Sequence, residues 1–358
     1  MRTLMIMAGG TGGHVYPALA VAHDLRARDI EVFWLGTQRG LEARVVPDAG
    51  IDIEWITIGG IKGKGLLTRL LAPIRILIAM LQTGVVIFRR RPEAVLGMGG
   101  FVAGPGGLTA WLLRVPLLIH ESNAVAGLTN KWLARIASRV LVGFPDVLAG
   151  SSHLLYVGNP VRAEIAALPD PQKRLAYRTG PLRLLVVGGS LGAQVFNEVV
   201  PQAVAELPAG ISIEILHQSG RDKLDATCEH YSEAEIEADI CEFITDMARA
   251  YEWADLVVCR AGAMTIAELA AAGMAAILVP YPHAIYDHQT ANARFLSKQD
   301  AAILLPQTDF SATRLAGLLA ELQQDRNKVM QLSTKARQLA ISDATEKVSA
   351  ACLEVMYA

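Results

Sequence analysis

The sequence predicts an α/β chain made of two doubly wound parallel-sheet domains. Three observations predict it. Short apolar runs alternate with longer helical patterns through both halves of the 358 residues. Two glycine clusters, Ala8-Gly9-Gly10-Thr11-Gly12-Gly13 and Val187-Gly188-Gly189-Ser190-Leu191-Gly192, stand half a chain apart, each after an apolar run and before a helical pattern. Proline and glycine then punctuate the middle of the chain, at Gly158-Asn159-Pro160, Pro169, Pro171 and Gly180-Pro181. The predicted domains are residues 1–162 and 163–341, with a last helix, about 342–358, returning to the first.

Taken in order, Thr3–Met7 reads as the first strand. Pro17–Arg28 follows as a helix whose inner face is Leu19, Ala22, Leu25 and Ala27. Glu31–Leu35, Ala94–Met98, Leu117–His120 and Val140–Val142 read as further strands. In the second half, Leu182–Val187, Ser212–His217, Leu256–Cys259 and Ala276–Val279 read as strands. Phe196–Leu207, Asp246–Trp253, Thr265–Ala272 and Gln289–Lys298 read as helices, and Ala344–Tyr357 is an amphipathic terminal helix.

Composition narrows the function classes. Hydrophobic residues make up 52% and charged residues 19%, which excludes a disordered chain. A net charge of −2 argues against a nucleic-acid binder that relies on a global positive field. Cys228, Cys241, Cys259 and Cys352 form no C-x-x-C pair, so reduced thiols are expected rather than a disulfide framework or a zinc site. The first apolar run, Leu4–Met7, stops at glycine after four residues and is too short for a signal peptide, so the chain is expected in the cytoplasm.

The first glycine cluster suits close backbone approach to a ligand, with a helix N-terminus behind it that favours anions. It lacks the Gly-Lys-Ser/Thr of a P-loop, and the spacing from Gly10 puts Val15 where a dinucleotide fingerprint needs its last glycine. The alternative is a tight strand-to-helix turn with no ligand. His14 opens the helix, where the positive dipole end favours neutral imidazole, the form a general base requires. The alternative there is a histidine bonding the adjacent turn. Ser190 in the second cluster has a hydroxyl suited to a phosphate; the alternative is again a structural turn. Glu268 stands early in a helix after Cys259-Arg260-Ala261-Gly262; it is either a helix-capping acid or a carboxylate suited to a ribose diol. Gly97–Gly107 reads as a third glycine-rich loop, and His120-Glu121-Ser122-Asn123 ends a strand at the same sheet edge. No D-x-D pair occurs, so no catalytic metal and no other cofactor is expected.

Between Trp55 and Pro92 lie seven basic residues and no acid: Lys62, Lys64, Arg69, Arg75, Arg89, Arg90 and Arg91. Thirteen uncharged residues separate Arg75 from Arg89, short of the ~20 needed to span a bilayer. With Leu66, Leu70, Leu71, Ile74, Leu77 and Ile78, this segment reads as an apolar, basic face for an anionic membrane surface, or as a core helix with solvated ends.

Met7–His14, Gly97–Gly107, His120–Asn123, Gly158-Asn159-Pro160-Val161-Arg162, Gly188–Ala193 and Arg260–Glu268, in that order, resemble the MurG family, the peptidoglycan N-acetylglucosaminyltransferases. The resemblance runs through nearly the whole chain. It implies a GT-B fold of two Rossmann-like domains facing a cleft. It implies inverting transfer of N-acetylglucosamine from UDP-N-acetylglucosamine to the 4-hydroxyl of the muramoyl sugar of lipid I, giving lipid II. The donor contacts it implies are Thr11, Gly12, Gly13, Asn123, Arg162, Ser190, Ile244, Ala263, Met264, Thr265, Ile266, Ala267, Glu268 and Gln289. Ile244 would meet uracil through its backbone, and Glu268 the ribose hydroxyls. His14 is the candidate base, with Glu121 as a rival or as a partner in acceptor binding. Leu71, Ile74, Arg75, Leu77 and Ile78 would hold the enzyme peripherally on the cytoplasmic face of the bacterial inner membrane, with cell-wall synthesis proteins as potential partners. Ser122 replaces a glutamine common in the family, and Ala267 replaces a serine, which puts one side-chain contact to the donor in doubt. A UDP-N-acetylglucosamine 2-epimerase, needing no lipid acceptor, and a two-domain small-ligand binding protein are the competing readings.

Overall fold

The computed structural model describes residues 2–59 and 71–358. The chain divides into two compact units, residues 1–162 with 341–358, and residues 163–340.

The first unit is a seven-stranded sheet: β1 (Thr3–Ala8), β2 (Glu31–Gly36), β3 (Asp52–Trp55), β4 (Ala94–Gly99), β5 (Leu117–Glu121), β6 (Arg139–Val142) and β7 (Leu154–Tyr156), in the order β3-β2-β1-β4-β5-β6-β7. Every pairing is parallel. A parallel sheet needs helices on both faces, so its central strands are apolar throughout rather than alternating. Leu4 to Ala8 and Phe33 to Leu35 are all fully buried. Trp34 brings a polar atom into this core and satisfies it by donating from Nε1 to the Ala8 carbonyl at 2.7 Å. The terminal helix Ala344–Tyr357 lays Val348, Ala351, Cys352 and Met356 into the same core as Leu4, Leu25 and Ile30.

The second unit repeats the plan with β8 (Leu182–Val187), β9 (Ile213–Gln218), β10 (Asp239–Cys241), β11 (Leu256–Cys259), β12 (Ala275–Leu278) and β13 (Ile303–Leu304), ordered β10-β9-β8-β11-β12-β13. All of its pairings are parallel too. Phe196, Val200 and Leu319 pack with Leu184, Val186, Val258 and Ile277 to form its core.

Two sequence expectations change. The first helix spans Gly12–Arg26, not Pro17–Arg28. Proline is favoured at a helix start, but here Pro17 sits in the second turn, where its missing N–H removes the bond that the Gly13 carbonyl would otherwise accept from residue 17. The third glycine-rich loop is also shorter than Gly97–Gly107. Gly97 and Gly99 belong to β4, and helix Ala103–Leu112 already contains Gly104, Gly106 and Gly107. Those helical glycines allow close packing: a Cβ on Gly106 would lie 2.2 Å from Met7 Sδ.

Candidate active site

In each unit the sheet order reverses beside the first strand, between β1 and β4 and between β8 and β11. The carboxyl ends of those strand pairs are where an open α/β sheet forms its ligand crevice. Residues 9–14 leave β1 there, and residues 100–102 leave β4, which ends at Gly99. The two turns touch through their backbones. Gly100, at φ +85°, lies so close to Gly9 that a Cβ would be 2.3 Å from the Gly9 carbonyl oxygen. Gly99, at φ +109°, lies under the His14 ring, and a Cβ there would be 2.5 Å from Cδ2 and 2.8 Å from Nε2. The end of β4 thus forms the floor on which His14 rests. Thr11 is the N-cap of helix Gly12–Arg26, and its carbonyl accepts the N–H of His14 at 3.1 Å. The His14 imidazole is half-buried and the Thr11 side chain is exposed.

Glu121 ends β5, almost fully buried. Its Oε1 accepts from the Asn123 N–H at 2.9 Å and Nδ2 at 3.3 Å; its Oε2 accepts from the Gly127 N–H at 3.0 Å and Asn130 Nδ2 at 2.9 Å. Four donors occupy the four lone-pair sites of a carboxylate. Such a group is a poor acceptor for a substrate proton and a firm clamp on residues 122–127, Asn123 included. The preceding His120 is buried, pairs Nε2 with the Gly158 carbonyl at 2.9 Å, and has its pKa lowered, chiefly by burial. A neutral His120 places no positive charge beside His14. Arg162, the last residue of the sequence stretch before the second unit, holds its guanidinium 5.7 Å from the Tyr16 ring.

In the second unit, Ser190 stands exposed in the turn between β8 and helix Gln194–Ala205. Ala263 to Glu268 form the first turns of helix Ala263–Ala272, which follows β11. Gly262 is its N-cap and provides no side-chain bond, so the first-turn N–H groups of Ala263, Met264 and Thr265 carry the positive end of the helix uncapped by a side chain. Ile266 is buried in the core, and Ala267 is half-buried beside Glu268. Glu268 is the sixth helical residue, too far in to cap, which removes that alternative; Tyr251 donates its hydroxyl to Glu268 Oε2 at 3.4 Å. Gln289, on helix His288–Ser297, uses Oε1 to accept from the N–H groups of Ala261 at 3.3 Å and Tyr281 at 2.9 Å.

Helix Ala72–Arg90 in the first unit is the one described helix long and apolar enough to cross a membrane by length and composition. Its Ala72, Ala79, Thr83, Val86 and Ile87 are buried, and its C-terminal arginines are tied to strand residues, Arg90 to Glu31 and Asp52 and Arg89 to Glu54. The opposite face is exposed: Leu71, Ile74, Leu77 and Ile78, continued by Leu81, Val85 and Phe88. Arg75 is exposed among them. Lys62, Lys64, Leu66, Arg69 and Leu70, assigned to the same face from sequence, lie outside the described residues.

Residues 4–142 match the glycosyltransferase family 28 N-terminal domain, and residues 183–348 the C-terminal domain of the same family. The chain is 51% identical over 353 residues to the UDP-N-acetylglucosamine--N-acetylmuramyl-(pentapeptide) pyrophosphoryl-undecaprenol N-acetylglucosamine transferase of Marinobacter nauticus, covering 99% of this chain and 97% of that one. Its counterpart in Thiobacillus denitrificans is 53% identical, over 98% and 97%. The crystal structure of Acinetobacter baumannii MurG superposes with a TM-score of 0.84 at 41% identity, covering 99% of this chain and 100% of that one.

The chain belongs to the MurG family. It is a glycosyltransferase with the GT-B fold of two Rossmann-like domains. A UDP-N-acetylglucosamine 2-epimerase from Neisseria meningitidis, with a TM-score of 0.66 at 11% identity over 99% of this chain and 100% of that one, shares the fold alone.

Two residues of this MurG-family chain escaped the sequence reading. Gln218, buried at the end of β9, donates from Nε2 to the Gly189 carbonyl at 2.9 Å and accepts from the Ile244 N–H at 2.9 Å, tying the second glycine turn to Ile244. The only sequence signal is a polar His217-Gln218-Ser219 closing an apolar strand. Glu42, fully buried at the start of helix Glu42–Asp48, holds the first glycine turn. Its signal is a lone acid shortly after Gly36 and Gly40. Among the described residues, no three His, Cys, Asp or Glu side chains come together as a metal-ligand group.

Proposed function

We propose that the chain transfers N-acetylglucosamine from UDP-N-acetylglucosamine to the 4-hydroxyl of the muramoyl sugar of lipid I, giving lipid II and UDP with inversion at the anomeric carbon. The observation that carries this reading is identity above 50% with relatives whose names state both donor and acceptor, over almost the full length of each chain.

In this reading the second unit holds the nucleotide. Ile244 meets uracil through its backbone, Glu268 takes the ribose hydroxyls, and Gln289 turns its amide nitrogen to the ligand because its oxygen is engaged internally. The family resemblance adds Thr11, Gly12, Gly13, Asn123 and Arg162 of the first unit to the donor contacts. The acceptor oxygen attacks the anomeric carbon and its proton passes to His14. The bond from that carbon to the diphosphate breaks, and UDP leaves with the electron pair. Charge developing on the diphosphate is met by Ser190 and by the uncapped N–H groups of Ala263 to Thr265, fixed dipoles that need no reorganisation, and no catalytic metal is assigned. Glu121 acts by fixing Asn123 and not as the base.

The exposed face from Leu71 to Phe88, with Arg75 within it, supports a peripheral position on the cytoplasmic face of the inner membrane, where a polyprenyl-linked acceptor would reside. A helix packed on its own domain along one face presents the other to lipid without spanning it. The test is UDP release from UDP-N-acetylglucosamine with and without a lipid I analogue. Release that depends on the acceptor is expected; release indifferent to it overturns the reading.

A further inference from the structure

We infer that Glu42 is a positioning residue for the reaction, an internal carboxylate that sets the turn carrying His14. The inference rests on the reading above that His14 accepts the acceptor's proton. Glu42 has no exposed surface. Its Oε2 accepts the Gly10 N–H at 2.9 Å, and its Oε1 accepts the Thr37 N–H at 3.1 Å and the Thr37 hydroxyl at 2.8 Å. Among the described residues it forms no ion pair. A buried carboxylate without a cation persists only where donors are aimed at it, and these three are.

The surrounding backbone is shaped to admit this side chain. A Cβ would lie 2.7 Å from Oε1 if placed on Gly9, 2.9 Å from Cγ on Gly36, and 1.9 Å from Oε2 on Gly40. Three glycines from the ends of β1 and β2 and the following loop thus leave one cavity, and Glu42 fills it. The consequence reaches the site through two contacts already described. Glu42 holds Gly10, the preceding Gly9 carbonyl packs on Gly100, and the neighbouring Gly99 supports the His14 ring. Residues 9–14 are therefore fixed from behind by Glu42 and from below by the end of β4 and the turn after it. Glu42 also takes the Gly10 N–H, the first donor that a phosphate-cradling loop would turn toward an anion. The turn presents His14 instead of an anion nest at Gly10.

The test compares Glu42→Gln, which keeps shape but exchanges one acceptor for a donor, with Thr37→Val, which removes one donor and leaves the carboxylate. Steady-state kinetics are normalised to the folded fraction measured by circular dichroism. A positioning role predicts kcat per folded molecule down about 10-fold in Glu42→Gln and about 3-fold in Thr37→Val, since small misplacements of a reacting group are costly. KM for UDP-N-acetylglucosamine should change less than kcat does, because Thr11, Gly12 and Gly13 are only part of the donor contacts, and those to uracil, ribose and diphosphate lie in the second unit. Wild-type kcat per folded molecule in both variants overturns the inference, as does a loss that appears only in KM for the donor. Should Glu42→Gln fail to fold, Thr37→Val alone decides by the same two criteria. His14→Ala run alongside separates the readings: full activity there removes the base assignment whatever the Glu42 variants do.

Discussion

Gly99→Ala tests the support under His14. The added methyl would sit 2.5 Å from His14 Cδ2 and 2.8 Å from Nε2. Carbon atoms in contact prefer about 3.5–4.0 Å, so the ring must move by about 1 Å. Alanine at φ +109° adds backbone strain of about 1–3 kcal/mol. The strain lowers the melting temperature by several degrees, while the displacement acts on turnover. Misplacing a catalytic group by about 1 Å costs on the order of 100-fold. The assay is steady-state UDP release with a soluble lipid I analogue, on protein shown to be folded by its thermal transition. The expected result is kcat reduced about 30- to 100-fold with the donor KM within about twofold of wild type. The double variant Gly99→Ala/His14→Ala should be no slower than His14→Ala, because both act on one group. Wild-type kcat in folded Gly99→Ala, or additive losses in the double variant, would refute the reasoning.

Glu121→Gln should destabilise the protein by about 1.5–3 kcal/mol through weakened charge-assisted bonds, read by urea denaturation, while the acidic limb of the kcat/KM pH profile stays in place. A shifted limb would restore Glu121 as the base. His217, buried between Tyr231 at 2.8 Å and Asn197 at 3.0 Å, has its pKa pushed down to about 3 by burial. The unfolded chain therefore binds the extra proton first, and stability is lost as pH falls below about 6.5, by up to about 1.4 kcal/mol per pH unit from this group. Urea midpoints at pH 7, 6 and 5 measure it, and His217→Asn should flatten the slope. Replacing Leu77, Leu81 and Phe88 with serine removes about 1 kcal/mol of apolar burial each on a membrane, so binding to phosphatidylglycerol vesicles should fall about 100-fold in a sedimentation assay. Unchanged binding would place the membrane face elsewhere.

The central strands of both sheets were legible because strands covered on both faces are continuous apolar runs. The edge strands β3, β7, β10 and β13 were not: Asp52-Ile53-Glu54-Trp55, for instance, is half solvated and carries two acids. The glycine clusters announced where the chain turns from strand to helix, yet not how far each turn extends, since Gly104, Gly106 and Gly107 serve helix packing instead. His14, Glu268 and the exposed helix face could be read from local pattern and from the family resemblance. The roles of Glu42 and Gln218 could not. Each acts through backbone groups distant in sequence, and a lone polar side chain looks the same in one dimension whether it is buried closing a loop or lies on the surface. The difference between Glu121 as base and as clamp was equally hidden, because it depends on donors at residues 123, 127 and 130 converging on two oxygens.

The most direct test of the central claim is the structure of the product formed from UDP-N-acetylglucosamine and a lipid I analogue, determined by mass spectrometry and by NMR of the new glycosidic bond. The account predicts an acceptor lengthened by one N-acetylhexosamine, joined through the 4-hydroxyl in the β configuration, with one UDP released per bond formed. Recovery of an epimerised nucleotide sugar, an α linkage, or UDP with an unmodified acceptor would contradict it.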